Sequence, residues 1–330
     1  MFKSTIIAVL AFFILSCKHD VLHLSLESKK IGSNIDIEAL SFLTNDTIFL
    51  CGGIKSQSGQ IFRSCDGGVS WQKIFECNDK LYSMYFFSGN NEALAVGDCT
   101  HVQKSYDRGV TWSKKVDCSY LWTNDRTSFR KVYFYDNQGG IAIGNQNREH
   151  GNAMFSWDRG ESWNDVQGPN GLNDWWIFNN DSILAVGYGI VEEINHNWQK
   201  GYFGYLPKVS PYAFTGDYFT GVWFTSSAVG YMSGFNGGIY KSTDGGHQWK
   251  DIRKSNSLFT KNVHFNDILF ETESIGWICG VDGVLMKTSD AGNSWQKVET
   301  NTSSNLKNMV YQNASLYITS ENGTYFVLKE

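Results

Sequence analysis

The chain has 330 residues, 28 basic and 33 acidic side chains, and a formal net charge of -5. No basic surplus points to a nucleic acid or to an anionic membrane surface. Its 33 glycines, 12 tryptophans and only 3 prolines fit an all-β chain with many tight turns, and no Pro-rich or Gly/Ser-rich linker divides it.

The N-terminus stands apart. Met1-Phe2-Lys3 is followed by an apolar run, Ile6 to Leu15, and then by Ser16-Cys17. The run is too short to span a bilayer and has the length of an export signal. Ile14-Leu15-Ser16-Cys17 resembles a bacterial lipobox. The expected division is a signal peptide over 1–16, a lipid-anchored tether over 17–20, and a single domain over 21–330. Lipid on Cys17 would anchor the protein to a membrane without spanning it. Lys18 after the cysteine points to the outer membrane of the envelope. Export permits disulfides, and six further cysteines remain. Cys77, Cys99 and Cys118 map to one face, with Cys99–Cys118 the first candidate pair; Cys51 and Cys65 flank one hairpin. No CxxC occurs, so zinc-ribbon and thioredoxin-type motifs are absent.

Five stretches share the frame [S/T]-x-D-x-G-x-x-W. They carry Ser64, Asp66, Gly68 and Trp71; Ser105, Asp107, Gly109 and Trp112; Ser156, Asp158, Gly160 and Trp163; Ser242, Asp244, Gly246 and Trp249; and Thr288, Asp290, Gly292 and Trp295. Successive aspartates are 41, 51, 86 and 46 residues apart. The long step predicts a unit with a decayed box between 172 and 201. A period of this size with several strands per unit marks a propeller.

The repeat predicts units near 36–74, 80–116, 128–166, 172–201, 219–252, 264–298 and 303–330. The last has only three strands. The alternating Val21–Glu27 is expected to supply its fourth, closing a seven-bladed ring and hiding an open edge. In each box the aspartate is expected to accept turn N–H groups, the glycine to take a positive φ, and the tryptophan to bury its ring against its own sheet. His247 of the fourth box is replaced by Val69, Val110, Glu161 and Asn293 in the others. A position that varies so freely within one chain is not catalytic.

The frame resembles the Asp-box (BNR) repeat, which occurs in sialidases, sortilin-type receptors, some xyloglucanases and a family resembling the photosystem II assembly and stability factor. The run from Ile275 to Gly283, leading into Leu285–Thr288 and its box, is most similar to the last of these. Gly230–Gly234 and Gly140–Gly144 are weaker copies. That resemblance implies a seven-bladed, non-catalytic binding scaffold that needs no cofactor.

Enzymatic alternatives have thin support. Sialidases need an arginine triad; here only Arg126, Arg130, Arg148 and Arg253 lie clear of the boxes, and no motif accompanies them. A glycosidase pair would have to come from Asp117, Asp125, Glu149, Asp174 or Asp217, read as solvated charges in connecting segments. Glu149-His150 and Asp98-Cys99-x-His101 lack metal-site spacing.

Binding is expected on the face opposite the boxes, where loops are longest. Trp122, Arg126, Arg148, His150, Tyr202, Phe203, Tyr205 and Tyr212 are the candidate residues, the last four within a long connector over 201–217. The expected partner is a protein or a glycan, bound by a monomeric protein.

Overall fold

The computed structural model describes residues 21–89, 91–116, 128–145, 151–166, 171–179, 182–188, 191–197, 202–207, 218–253 and 263–329. Among them lie seven four-stranded antiparallel sheets. The first is β2 (Asp36–Phe42), β3 (Ile48–Ile54), β4 (Ser58–Ser64) and β5 (Gln72–Cys77). The second runs from β6 (Leu81–Phe86) to β9 (Ser113–Val116), and the third from β10 (Ser128–Phe134) to β13 (Asn164–Val166). The fourth, fifth and sixth begin with β14 (Leu172–Asn179), β18 (Phe219–Phe224) and β22 (Phe265–Phe270). The seventh joins β26 (Leu306–Gln312), β27 (Ser315–Ser320) and β28 (Thr324–Lys329) to β1 (Leu26–Lys30).

The first strand of each sheet packs against the first strands of both neighbours, and the series closes from β26 back to β2. These inner strands therefore surround an axis, and each sheet is a propeller blade. Seven hydrophobic clusters fill the wedges between successive blades. Burial between blades, rather than within one, is what makes the ring cohere.

Two expectations about boundaries are corrected. The closing strand is Leu26–Lys30, paired with β28 from Leu26↔Leu328 to Lys30↔Thr324. Leu22, in the segment expected to close the ring, instead makes a parallel bridge to Val298 of the sixth blade. Leu22, Leu24 and Leu26 then pack on the cluster between blades six and seven, so the alternation of Val21–Glu27 marks a packed edge segment. The fourth blade does not end near 201. Tyr202–Pro207 is its outer strand, β17, paired with β16 (Val191–Asn197). Tyr202, Phe203 and Tyr205 belong to that strand and not to a connector. The aromatic content of Tyr202–Pro207 suits a strand.

The five boxes form one local network. Each Ser or Thr hydroxyl donates to its aspartate at 2.7–2.9 Å and accepts the glycine N–H at 2.6–3.0 Å. The carboxylate also accepts the backbone N–H four residues on, at 2.8–2.9 Å. Hydrogen bonds to Ser70 and Ser64 hold the Asp66 carboxyl down at about 2. The box glycines have φ of +87°, +78°, +79°, +88° and +77°. A Cβ on them would lie 2.5–2.8 Å from Tyr325, Phe49, Leu94, Leu184 and Tyr231 of the preceding blade. The box tryptophans likewise sit in the clusters that join their blade to the preceding one. The box is therefore a wedge between blades as well as a turn within one.

Cys51 and Cys65 are not bridged. Cys51 pairs with Ile61 across the hairpin and is fully buried, whereas Cys65 is exposed in the box turn. Cys118 lies outside the described residues.

Candidate functional site

Each inner strand is irregular near its start. The register with the second strand slips between Ile37 and Ala39, Leu81 and Ser83, Phe129 and Lys131, Leu172 and Asp174, Phe219 and Gly221, Phe265 and Asp267, and Leu306 and Met309. A bulge re-aims side chains. The bulged residues are Glu38, Tyr82, Arg130, Asn173, Thr220, Asn266 and the pair Lys307–Asn308, and all of them line one axial cavity of about 540 Å³.

In six blades a glycine pairs with the residue just before the bulge, whereas in the seventh Ser320 pairs with Leu306. A Cβ on Gly52, Gly97, Gly144, Gly187 or Gly280 would lie 1.9–2.1 Å from the carbonyl oxygen of Asp36, Lys80, Ser128, Gly171 or His264. Only glycine admits that approach. These glycines stand at or within two residues of the ends of the second strands, and Gly144 and Gly280 are the second glycine of the repeated Gly-x-x-x-Gly pattern in the third and sixth blades. The motif thus marks the level of the bulge, a relation visible only once the strands are paired.

The cavity opens on the side of the second-to-third-strand loops and blade connectors. Tyr218, Phe235, Val281, Asn305 and Glu321 from those segments form its rim. The boxes lie at the other ends of the strands.

Charge at the rim is balanced locally. Lys80 contacts Glu38 at 2.6 Å and Asp36 at 2.9 Å; Lys307 contacts Glu38 at 2.8 Å and Asp36 at 3.3 Å. Burial alone would raise the Glu38 carboxyl, but Lys307 and Lys80 outweigh it and hold it below its ordinary value. This network ties blades seven, one and two. The Arg130 guanidinium lies 4.0 Å from the Tyr82 ring centroid.

Deeper along the axis a second chamber of about 380 Å³ shares Lys131, Asp267 and Met309 with the first. Trp175, Trp176, Trp223 and Tyr133 line it with Asp174. The Lys131 ammonium is 2.5 Å from Asp174. Burial pushes the Asp267 carboxyl up to about 7, with Asp174 adding repulsion and Lys131 opposing. Asp174 therefore belongs to the inner strand and is only 3% exposed. It is not the solvated connecting-segment charge expected from sequence.

The remaining candidates separate. Trp122, Arg126, Arg148, His150 and Tyr212, with Asp117, Asp125, Glu149 and Asp217, lie outside the described residues. For Tyr202, Phe203 and Tyr205 only the strand is described. Arg253 bonds the Gly237 carbonyl over the Phe265 ring and does not reach the cavity lining. Asp98 accepts the Ser128 hydroxyl at 2.6 Å, and His101 meets Asp79 at 2.5 Å. Among the described residues no group of three or more His, Cys, Asp or Glu side chains is arranged to hold a metal. Of the channel residues the sequence singles out only Arg130 and Asp174, and for other roles; the rest look ordinary in their own strands, and the signal shared by the bulged residues is the slot two to three residues into the first strand of every unit.

Comparisons agree on the architecture. A family profile described as photosynthesis system II assembly factor YCF48 matches residues 214–324. A structure described as YCF48 bound to D1 peptide superposes with a TM-score of 0.72 at 19% identity, covering 94% of this chain and 100% of its own. YCF48 from Cyanidioschyzon merolae gives 0.68 at 13% identity, over 92% and 98%. The WD40 β-propeller domain of Doa1 gives 0.66 at 12% identity, over 93% and 96%. No curated protein sequence matches. The chain is an all-β propeller of antiparallel four-stranded blades, with a repeat of the BNR type that is similar to YCF48.

Proposed function

We propose that this protein is a non-catalytic scaffold that binds a segment of a partner protein at the mouth of the axial cavity. The observation that carries this reading is the lining itself: side chains from the inner strands of all the blades converge on one polar, charge-balanced opening. Rigid rings with loop-rimmed openings suit recognition by many weak, positioned contacts. That YCF48 is found bound to a D1 peptide supports a peptide-like ligand for this architecture.

The scaffold is proposed to act at a bacterial cell envelope, tethered through lipid on Cys17 to the outer membrane. Val21 and His23 share a cleft with Asp282, Gly283 and Thr300–Ser303, on the same side as the cavity rim. Three residues separate Cys17 from Val21, and the four Cα-to-Cα steps reach at most about 14 Å. A lipid there would hold the rim near the bilayer and favour a membrane-proximal partner. Cys17→Ser should release the protein from the membrane fraction and abolish labelling with a palmitate analogue; retention of both would refute the anchor.

A second reading, a glycan ligand or glycoside hydrolysis, draws on the tryptophans beside Asp174 and Asp267. Both carboxylates, however, accept backbone N–H groups of the next blade, which gives them a structural task.

The test is photo-crosslinking from Val281 and Asn305 on the rim, with Val69 on the box face as control. One protein crosslinked from both rim positions and not from Val69 is the expected result. Equal crosslinking from Val69, or glycan hydrolysis abolished by Asp174→Asn, overturns the reading.

A further inference from the structure

We propose that the deeper chamber is a recognition site for an organic ammonium group, the side chain of a lysine carried by the segment bound at the mouth. This rests on the scaffold reading and adds to it what the deepest contact of the partner is. The chamber adjoins the mouth, with Lys131, Asp267 and Met309 lining both, which places it next to a side chain inserted from the rim.

The charges select the ligand. Lys131 and Asp174 form an ion pair at 2.5 Å, so their opposite charges offset each other. Asp267 is 8% exposed and accepts the N–H groups of Ile268 at 2.9 Å and Met309 at 2.8 Å. No cation stands within ion-pair distance of it among the described residues. The ionisable groups that face it are Lys131, Asp174 and the buried thiol of Cys279. With both carboxylates ionised, the chamber carries one negative charge in excess. An anion is repelled, and a neutral sugar does not answer that charge.

The walls suit the same ligand. Trp176 and Trp223 meet with ring centroids 5.0 Å apart at an interplanar angle of 57°, forming an angled aromatic corner. Trp175, Trp176, Trp223 and Tyr133 are all part-exposed, and they line this chamber. Aromatic faces attract a cation and also pack the methylene stem of a lysine.

Binding has a proton balance. The protonated Asp267 carboxyl gives up its proton to solvent as the incoming ammonium pairs with the carboxylate, so one proton leaves for each cation bound at low pH. With that carboxyl titrating at about 7, affinity should rise about ten-fold between roughly pH 6 and pH 8.

The experiment titrates the mature full-length protein with N-acetyl-lysine-N-methylamide and follows tryptophan fluorescence; N-acetyl-norleucine-N-methylamide is the uncharged isostere. Saturable binding of the lysine derivative alone, strengthening with pH and lost in Asp267→Asn, is the expected result. Equal response to both probes, or no saturable response in the wild type, overturns the proposal. Should Asp267→Asn not fold, Trp223→Leu replaces it, and binding should weaken by about 3- to 30-fold; unchanged affinity overturns the proposal. A partner crosslinked at the rim without lysine binding removes the chamber inference and leaves the scaffold standing. Lysine binding without a rim partner removes the scaffold reading instead.

Discussion

Asp174 reaches from the fourth blade to the fifth, where its Oδ2 accepts the backbone N–H of Val222 at 2.8 Å. Asp267 makes the same reach from the sixth blade to Met309 of the seventh, also at 2.8 Å. The residue before each aspartate completes the strap: Asn173 Nδ2 donates to the Phe219 carbonyl and Asn266 Nδ2 to the Leu306 carbonyl, each at 2.7 Å. An Asn-Asp pair thus spans two separate blade boundaries, and its aspartate also faces the channel.

Asn173→Ala and Asn266→Ala should each destabilise the fold by about 1–3 kcal/mol, because each leaves a neighbouring carbonyl without its donor. The two boundaries are distinct, so the double variant should be close to additive. Urea midpoints at constant slope measure both. A change well below this range in both variants would reduce the straps to incidental contacts.

The pH dependence of stability should carry two opposite signatures. Folding raises the Asp267 carboxyl from an ordinary 3.8 to about 7. Between those values the folded chain holds a proton that the unfolded chain releases, so this group's contribution to stability falls as pH rises through the window. Asp66 is lowered from 3.8 to about 2, so its contribution is full above 3.8 and is lost as pH falls towards 2. Thermal melts from pH 5 to pH 8 should therefore show a decline that Asp267→Asn flattens. The loss in acid should remain in that variant.

Two neighbours in the fourth box should behave very differently. Gly246 has φ of +88°, and an added Cβ would lie 2.5 Å from Leu184 Cδ1. Gly246→Ala should cost about 1–3 kcal/mol from backbone strain and overpacking. His247→Ala, on the exposed side of the same turn, should stay within about 0.5 kcal/mol of wild type. Chemical denaturation of the pair decides whether this box is architecture.

Closure by the N-terminal strand should be separable from the residues that precede it. A chain starting at residue 31 lacks β1 and leaves the edge of β28 open, as well as losing Leu22, Leu24 and Leu26 from the wedge. It should melt earlier and aggregate, since an exposed strand edge templates pairing. A chain starting at residue 21 keeps both features and should melt at a clearly higher temperature, without the aggregation seen in light scattering. Equal behaviour of the two truncations would contradict the closure.

Repetition made the scaffold legible. Five boxes, spaced 41 to 51 residues apart but for one doubled step, define strand ends, turn chemistry and the ring, because each copy answers the same local demand: a carboxylate to hold turn N–H groups and a glycine where a side chain would strain. Where repetition lapsed, reading failed. The fourth unit lacks a box to mark the start of its outer strand, so the sequence places Tyr202–Pro207 in a connector although it pairs as that strand.

What the sequence determined by itself was the unit, its turn and its fold class, because these depend on contacts a few residues apart. What only the tertiary structure decided was the site. Lys131, Asp174 and Asp267 are distant in sequence and unremarkable within their strands. They meet because a bulge at the same position in every inner strand turns side chains towards one axis, and closure of the ring brings those axis-facing positions together.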